Sequence, residues 1–140
     1  MIPDEFNLDK RLAADTHHLF KWHDIHLLLH KNATFPWFIM VPETHVFELH
    51  ELSATTQQNV MTATHVIAQH CKTAYGSEKI NFAAIGNVVQ QLHIHVIGRH
   101  SEDALWPDVV WGADIPVSDY SSNQIEQLKF ALFDKLNPGD

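Results

Sequence analysis

The segment from residue 91 to residue 97 alternates between polar and apolar side chains, which is typical of a β-strand with two different faces. His93 and His95 therefore fall on one face, and the apolar residues between and beside them fall on the other. A strand rises about 3.3 Å per residue, so we expect the two histidine Cα atoms to lie roughly 6.6 Å apart. Two imidazole rings at that separation can contact the same phosphate group, which makes this pair the candidate active site.

The sequence predicts three helices, each of which begins at a residue that can cap it and carries apolar residues at helical spacing. Their predicted limits are Asp9 to His18, Ser53 to about Tyr75, and Ser121 or Ser122 to about Leu136. Gly76 follows the second helix, and glycine commonly ends helices. The second helix is the longest, and we expect it to be the central helix of the fold.

Four strands are predicted from alternating or apolar segments between turn residues. They run from Asp24 to His30, from Trp37 to Val41, from Lys79 to Ile85, and from Val88 or Val89 to Gly98. The first two form a hairpin, and the last two are antiparallel neighbours joined by a turn at Gly86 and Asn87. The order αββαββα indicates the α+β class with a mostly antiparallel sheet.

Length and composition limit the kind of protein. The chain has 140 residues, of which 45% are hydrophobic, and this suits one domain over residues 1–140. No apolar run approaches the roughly 18 residues of a membrane span, and the first residues lack the pattern of a signal peptide. We therefore expect a cytoplasmic protein with no membrane partner.

The charge and the cysteine content exclude further classes of function. The formal net charge of -8 argues against a nucleic acid polymer as partner, because such partners require a broad basic surface. A small phosphorylated ligand held by a few local donors is compatible with this charge. The single cysteine, Cys71, excludes an intramolecular disulfide bond, and its place in a helical pattern indicates packing rather than nucleophilic chemistry.

The histidine pair suits phosphoryl chemistry. Imidazole attacks phosphorus at neutral pH, because its ordinary pKa of about 6.5 leaves a lone pair available. A second imidazole on the same face, if protonated, could stabilise charge on the phosphoryl oxygens or donate a proton to the leaving group. This chemistry requires no metal and no cofactor. Taken alone, the pair also fits a solvated strand face, or a metal site completed by another of the twelve histidines.

The sequence around the pair resembles the histidine triad (HIT) family. Residues 86–99 read Gly-Asn-Val-Val-Gln-Gln-Leu-His-Ile-His-Val-Ile-Gly-Arg, which has the spacing of the family signature Gly-Gln-x-Val-x-His-φ-His-φ-His-φ-φ-x-Arg, where φ is apolar. Residues 37–52 are similar to the family's strand, Pro, His and Leu-x-Glu-Leu stretch before its long helix. The resemblance covers residues 24–99, more than half of the chain.

That resemblance implies a role for each residue at a matching position. His93 matches the middle histidine, the nucleophile that forms a covalent nucleotidyl intermediate at the α-phosphate. His95 matches the third histidine, which contacts the phosphate on the side of the leaving group. Asn87 stands where the family has a glutamine whose amide binds phosphate oxygens. Gln91 replaces the first histidine, whose main-chain carbonyl holds the nucleophile's other ring nitrogen, and a glutamine can supply that contact equally well.

The predicted substrate-binding residues are therefore Asn87, Gln91 and Arg99, although Arg99 fits a structural ion pair as well as a phosphate contact. The family binds the base in an apolar pocket along its first two strands, with a ribose contact for which His30 or Asn32 is a candidate here. The corresponding apolar candidates are Ile25, Leu27, Leu29 and Phe38.

The resemblance implies a HIT-like fold and an enzyme that is a nucleotide phosphohydrolase or nucleotidyl transferase. It would act at the α-phosphate of an AMP-type substrate, of the diadenosine polyphosphate or adenosine phosphoramidate class, through a nucleotidyl intermediate on His93. Family members usually pair through the sheet and the long helix, so we expect a homodimer. The alternative is a nucleotide-binding protein of the same fold with reduced or no catalysis, which the presence of Gln91 at the first triad position motivates.

Overall fold

The computed structural model describes residues 5–115 and 118–139. These residues contain three α-helices, five β-strands and one short 3-10 helix, with loops between them. The helices are α1 (Lys10–Asp15), α2 (Ala54–Tyr75) and α3 (Ser122–Leu136), and the 3-10 helix is Leu49–Glu51. The strands are β1 (Thr16–Trp22), β2 (Ile25–His30), β3 (Trp37–Pro42), β4 (Lys79–Ala83) and β5 (Ile94–Arg99).

All five strands form one antiparallel sheet in the order β1-β2-β3-β5-β4. The predicted pairings of β2 with β3 and of β4 with β5 are both present. The register sets His95 opposite Ile39 on one side and opposite Ala83 on the other. The predicted α+β class with a mostly antiparallel sheet is therefore confirmed, and the strand with the histidine lies inside the sheet rather than at its edge.

The two faces of the sheet carry separate apolar clusters. On one face, which we call the helix face, α2 and α3 pack on strand residues that include Phe38, Met40 and Val96. On the other face, which we call the cavity face, α1 and the segment of residues 105–115 pack against Trp37 and Ile39. His95 is paired with Ile39 and shares the cavity face, so the strand alternation separates the candidate active site from the long helices.

The two longer helices begin and end as predicted. The Ser53 side chain caps α2 by accepting a hydrogen bond from the Thr56 amide, and Gly76 ends the helix with a φ of 67°, a value that glycine tolerates best. Ser121 and Gln124 form a reciprocal capping box at the start of α3. Within residues 5–115 and 118–139, none of the helices has the length and apolar character needed to cross a membrane.

The predicted first helix is wrong at its carboxyl end. It begins after the Asp9 cap but stops at Asp15, and residues 16–22 form the edge strand β1 instead, so the order of elements is αβββαββα. A shift in register between His18 and Phe20 leaves Leu19 and Phe20 both buried. This irregularity interrupts the period of two by which the strand could be recognised.

The loop before the histidine strand is longer than predicted. β4 ends at Ala83 rather than Ile85, and β5 begins at Ile94 rather than at Val88 or Val89. Residues 84–93 thus form a loop, within which Gly86 has a φ of 67°. His93 is the last residue of that loop, so it is held by the loop on one side and by the sheet on the other.

Candidate active site

A cavity of about 580 Å³ opens on the cavity face of the sheet, and both histidines of the alternating segment line it. Its polar lining also includes His30, Asn32 and Asn87. Its apolar lining includes Leu12, Trp37, Ile39, Val110, Trp111 and Ile115, together with Ile85, Val88 and Val89 of the loop before β5. An apolar pocket with a few convergent polar groups is typical of a small-molecule site.

The His93 ring is oriented by the main chain. Its Nδ1 lies 2.7 Å from the carbonyl oxygen of Gln91, and the residue is 7% exposed. A carbonyl only accepts hydrogen bonds, so Nδ1 carries the proton and donates it. In the neutral ring, the lone pair is then on Nε2, as an attacking nucleophile requires. The main-chain contact that the family resemblance implies for Gln91 is present in the structure.

His95 lies beside His93, with the two ring centroids 5.0 Å apart. The Trp37 indole N–H donates a hydrogen bond of 3.0 Å to Nδ1 of His95. Burial, reinforced by the nearby His93 and His30, lowers the pKa of His95 from 6.5 to about 3. The ring is therefore neutral near pH 7, which argues against the protonated second imidazole considered from the sequence.

The Trp37 indole is also held in place by a stacked imidazole ring. The His30 ring stacks on it with a centroid distance of 3.9 Å and an angle of 8° between the planes. Burial lowers the pKa of His30, and the nearby Asp15 carboxylate only partly offsets this effect. The sequence pattern did not single out Trp37, although its aromatic side chain lies on the strand paired with β5.

Asn87 is exposed on the loop of residues 84–93 and borders the main cavity. It also borders a second cavity of about 360 Å³, which is lined by Phe47, Glu48, Glu51 and residues of the same loop. His93 borders both cavities. The structure therefore brings Asn87, His93 and His95 to the wall of one cavity, and it places the nucleophile candidate on the wall of the second cavity as well.

The Gln91 side chain points to the amino-terminal segment rather than into the main cavity. Its Oε1 accepts a hydrogen bond of 2.8 Å from the Asp9 amide, and its Nε2 donates one of 2.9 Å to the Asn7 carbonyl. Asp9 in turn caps α1, and Arg11, Leu12 and Asp15 of that helix line the main cavity. Gln91 thus acts on the site through its backbone carbonyl and through the segment that its side chain holds.

Arg99 is not among the residues that line the main cavity, and its contact to a phosphate stays a prediction. Its guanidinium is 1% exposed and donates two hydrogen bonds to the Asp103 carboxylate, of 2.7 and 2.9 Å, and a third to Asn81. Burial raises the pKa of Asp103, but hydrogen bonds from Arg99 and two backbone amides lower it overall to about 2. Of the two roles considered for Arg99, the structure shows the ion pair.

The apolar residues considered for the base pocket lie on the helix face of the sheet, opposite the main cavity. Ile25, Leu27, Leu29 and Phe38 all pack in the cluster on the helix face. Residues of the opposite parity, His30, Trp37 and Ile39, line the cavity instead. Sequence reasoning also missed Leu12, Val110 and Trp111, because only the tertiary fold brings α1 and the irregular 105–115 segment to this face.

Neither Cys71 nor a cluster of metal-ligating side chains forms a second site in the part of the chain that the structure describes. Cys71 is fully buried, and burial raises the pKa of its thiol to about 12, which agrees with a packing role. In residues 5–115 and 118–139, no three side chains of His, Cys, Asp or Glu converge in the way that a metal ion requires.

Comparisons with known proteins relate the whole chain to one family. The family model described as "HIT domain" matches residues 11–102. A search of curated protein sequences found no significant match. Among solved structures, a histidine triad protein from Marinobacter aquaeolei is 37% identical, covers 94% of this chain and 96% of its own, and has a TM-score of 0.83.

Two further histidine triad proteins are similarly close. The one from Bradyrhizobium japonicum is 31% identical, with 94% of this chain and 98% of its own covered and a TM-score of 0.83. The one from Sinorhizobium meliloti is 32% identical, with 93% and 96% covered and the same TM-score of 0.83. The similarity therefore extends over nearly the whole length of each chain.

Proposed function

This chain belongs to the histidine triad (HIT) family, and from that premise we propose that it is a nucleotide phosphohydrolase or nucleotidyl transferase. We infer that it acts at the α-phosphate of an AMP-type substrate, of the diadenosine polyphosphate or adenosine phosphoramidate class. The observation that carries the proposal is the His93 ring, whose Nδ1–H is held by the Gln91 carbonyl while its Nε2 is left as the nucleophile at the cavity wall.

The reaction follows a double displacement. In the first step, the Nε2 lone pair of His93 forms a bond to phosphorus, and the bond from phosphorus to the leaving oxygen or nitrogen breaks with its electron pair on the leaving group. In the second step, water or another acceptor attacks phosphorus, and the N–P bond breaks. For hydrolysis, the water supplies its hydroxyl to phosphorus and a proton, overall, to the leaving group.

The two cavities suggest how a substrate lies. The apolar walls of the larger cavity, Trp37, Trp111 and Leu12 among them, suit a nucleoside. The amide of Asn87 borders the same space and can donate to phosphate oxygens. The leaving group then extends toward the second cavity, which His93 and Asn87 also border.

Acid-labile trapping tests the intermediate. Protein mixed briefly with adenosine 5′-phosphoramidate labelled at the α-phosphate should carry label that is lost in acid, and His93→Ala should abolish both the label and the turnover. The loss of turnover should be at least about a thousandfold. His65→Ala, which removes an exposed histidine of α2, serves as the matched control and should keep both.

The outcomes separate enzyme from binding protein. Label on the His93→Ala protein, or undiminished turnover by it, removes His93 from the mechanism. Tight binding of AMP by the unmodified protein with neither label nor turnover favours the alternative, a nucleotide-binding member of the family with little or no catalysis.

We also propose that the protein forms a homodimer through the edge strand β4 and the long helix. Phe82 on β4 is 40% exposed, although it shares its strand face with Ile80, which packs on the core of the helix face. A second copy would cover this aromatic side chain and the open edge of the sheet. Sedimentation should show that the unmodified protein is a dimer and that Phe82→Asp dissociates it. Phe130→Asp, which changes an exposed side chain of α3, should leave the dimer intact. A monomeric unmodified protein would contradict the proposal.

A further inference from the structure

We propose that Trp37 is a positioning residue for this reaction, because its indole N–H fixes the proton of the neutral His95 ring on Nε2. The inference rests on the proposed function for its chemical meaning, but the position of the proton can be measured in the free protein. Trp37 is 7% exposed and its Nε1 lies 3.0 Å from Nδ1 of His95.

The argument follows from what each group can do. An indole nitrogen donates a hydrogen bond and cannot accept one, so Nδ1 of His95 must provide the lone pair. A neutral imidazole has one N–H, which must then be on Nε2. The neighbouring His93 has the opposite arrangement, because its Nδ1 donates to the Gln91 carbonyl and its Nε2 keeps the lone pair. The paired rings are thus assigned different tautomers by two different partners.

The neutral state of His95 has independent support. The groups that surround the ring are aromatic or imidazole side chains: Trp37, His93 and Trp111 lie with ring centroids 5.9, 5.0 and 5.3 Å away. The neighbouring His93 and His30, when charged, would oppose a second positive charge on this ring. Protonating Nδ1 would also break the hydrogen bond from Trp37 and direct two N–H groups at each other.

The sheet and the His30 stack hold this donor in place. Trp37 is paired with Ile97, and Ile39 is paired with His95. This register of β3 and β5 fixes the position of the indole relative to the imidazole along the strands. The His30 ring lies 3.9 Å from Trp37 and nearly parallel to it, which restricts rotation of the indole. The geometry therefore does not depend on a surface loop.

The tautomer decides the chemistry of His95. With its proton on Nε2, the ring can donate a hydrogen bond to a phosphoryl oxygen and stabilise the charge that develops there. It cannot also serve as the acid that protonates the leaving group, since loss of that proton would leave an imidazole anion in a buried site. His95 therefore acts as an electrostatic stabiliser. The leaving group receives its proton from the solvent or from another group of the substrate.

Nitrogen NMR of the unmodified protein tests this directly. In ¹⁵N-labelled protein near neutral pH, His95 should show an unprotonated Nδ1 and a protonated Nε2, with a coupling across the hydrogen bond from the Trp37 indole. His93 should show the reverse pattern. A protonated Nδ1 on His95, or a ring that exchanges between both forms, would overturn the proposal even if no variant folded.

Two tryptophan variants separate positioning from packing. Trp37→Phe removes the donor but keeps an aromatic ring on His30, and it should let His95 populate both tautomers and lower kcat by about ten- to a hundredfold. Trp111→Phe is the matched control, because Trp111 touches the same imidazole while its buried Nε1 has no hydrogen-bond partner among the described residues. It should leave the nitrogen pattern of His95 unchanged.

The outcomes are distinguishable from a failure of the proposed function. An unchanged nitrogen pattern in Trp37→Phe would show that Trp37 does not set the tautomer. A changed pattern with unchanged kcat would show that the tautomer does not matter to the reaction, and it would equally refute the positioning role. Activity that survives in His93→Ala would refute the mechanism but would leave the nitrogen measurement of His95 intact.

Discussion

At the scale of single residues, identical side chains are given different properties by their partners. His93 and His95 belong to the same alternating segment and line the same cavity, with their rings side by side. One is oriented by a carbonyl and the other by an indole, so the two rings present opposite hydrogen-bonding groups. A sequence pattern can bring the rings together, but it cannot identify these partners, because Trp37 is 58 residues away from His95.

Arg99 illustrates the same difference between motif and environment. We expect Asp103→Asn to lower the free energy of unfolding by about 3 kcal/mol, because it leaves the buried guanidinium without its opposite charge. The KM for substrate should not change, since Arg99 lies outside the main cavity. Chemical denaturation and steady-state kinetics check the two expectations.

Asp108→Asn is the control for this prediction, because Asp108 is an exposed neighbour in the same segment and its change should cost less than about 0.5 kcal/mol. Full stability of Asp103→Asn combined with a raised KM would return Arg99 to the role of a phosphate-binding residue.

At the scale of elements, local signals predicted the helices better than the strands. Ser53, Gly76 and Ser121 end or begin helices through interactions within a few residues, so the sequence alone was sufficient to locate α2 and α3. β1 was missed because its bulge interrupts the alternation and because an edge strand depends on its neighbour for recognition. The apolar candidates for a base pocket lie under α2 rather than at the main cavity for a related reason, since alternation defines two faces but not which of them α2 covers.

The amino-terminal segment is an element whose position depends on one distant side chain. In Gln91→Glu, a carboxylate would face the Asn7 carbonyl and the donor to that carbonyl would be lost. We expect faster amide hydrogen exchange at residues 7–15 and a KM raised severalfold, because α1 forms part of the cavity wall. The maximal rate should change little, since the backbone carbonyl that orients His93 is retained.

Gln90→Glu adds the same charge at the adjacent exposed position and is the matched control for hydrogen exchange; its KM is not compared, because Gln90 borders the second cavity. If both variants speed exchange at residues 7–15 equally, charge in the loop is responsible, and the two hydrogen bonds of Gln91 are not.

At the scale of the whole molecule, the buried histidines couple folding to pH. Burial is the main cause that lowers the pKa values of His30, His70 and His95 from 6.5, that of His95 to about 3. The unfolded chain therefore takes up protons at a higher pH than the folded chain does. The free energy of unfolding should fall as pH decreases from about 6.5, by up to about 1.4 kcal/mol per pH unit for each such group.

Asp103 extends this loss to lower pH. Its folded pKa of about 2 lies below the ordinary 3.8, so its stabilising effect is complete above that ordinary value and disappears as pH falls toward 2. Denaturation curves between about pH 7 and about pH 4.5 isolate the histidine contribution. His70→Gln should reduce the slope, because His70 is buried in α2, whereas His65→Gln at the exposed face should not. A slope that neither variant alters would mean that other groups bind the protons.

The position of His93 on the wall of both cavities bears on the order in which the parts of a substrate depart in the proposed mechanism. If the nucleotidyl intermediate forms, a leaving group in the smaller cavity would escape to bulk solvent while the nucleotide stays attached to the imidazole in the larger one. The vacated space would then admit acceptors other than water, and the outcome of each turnover would become a competition among the molecules that enter it. The ratio of transfer to hydrolysis would then follow the concentration of the acceptor. The same protein would act as a hydrolase or as a transferase according to the acceptors present.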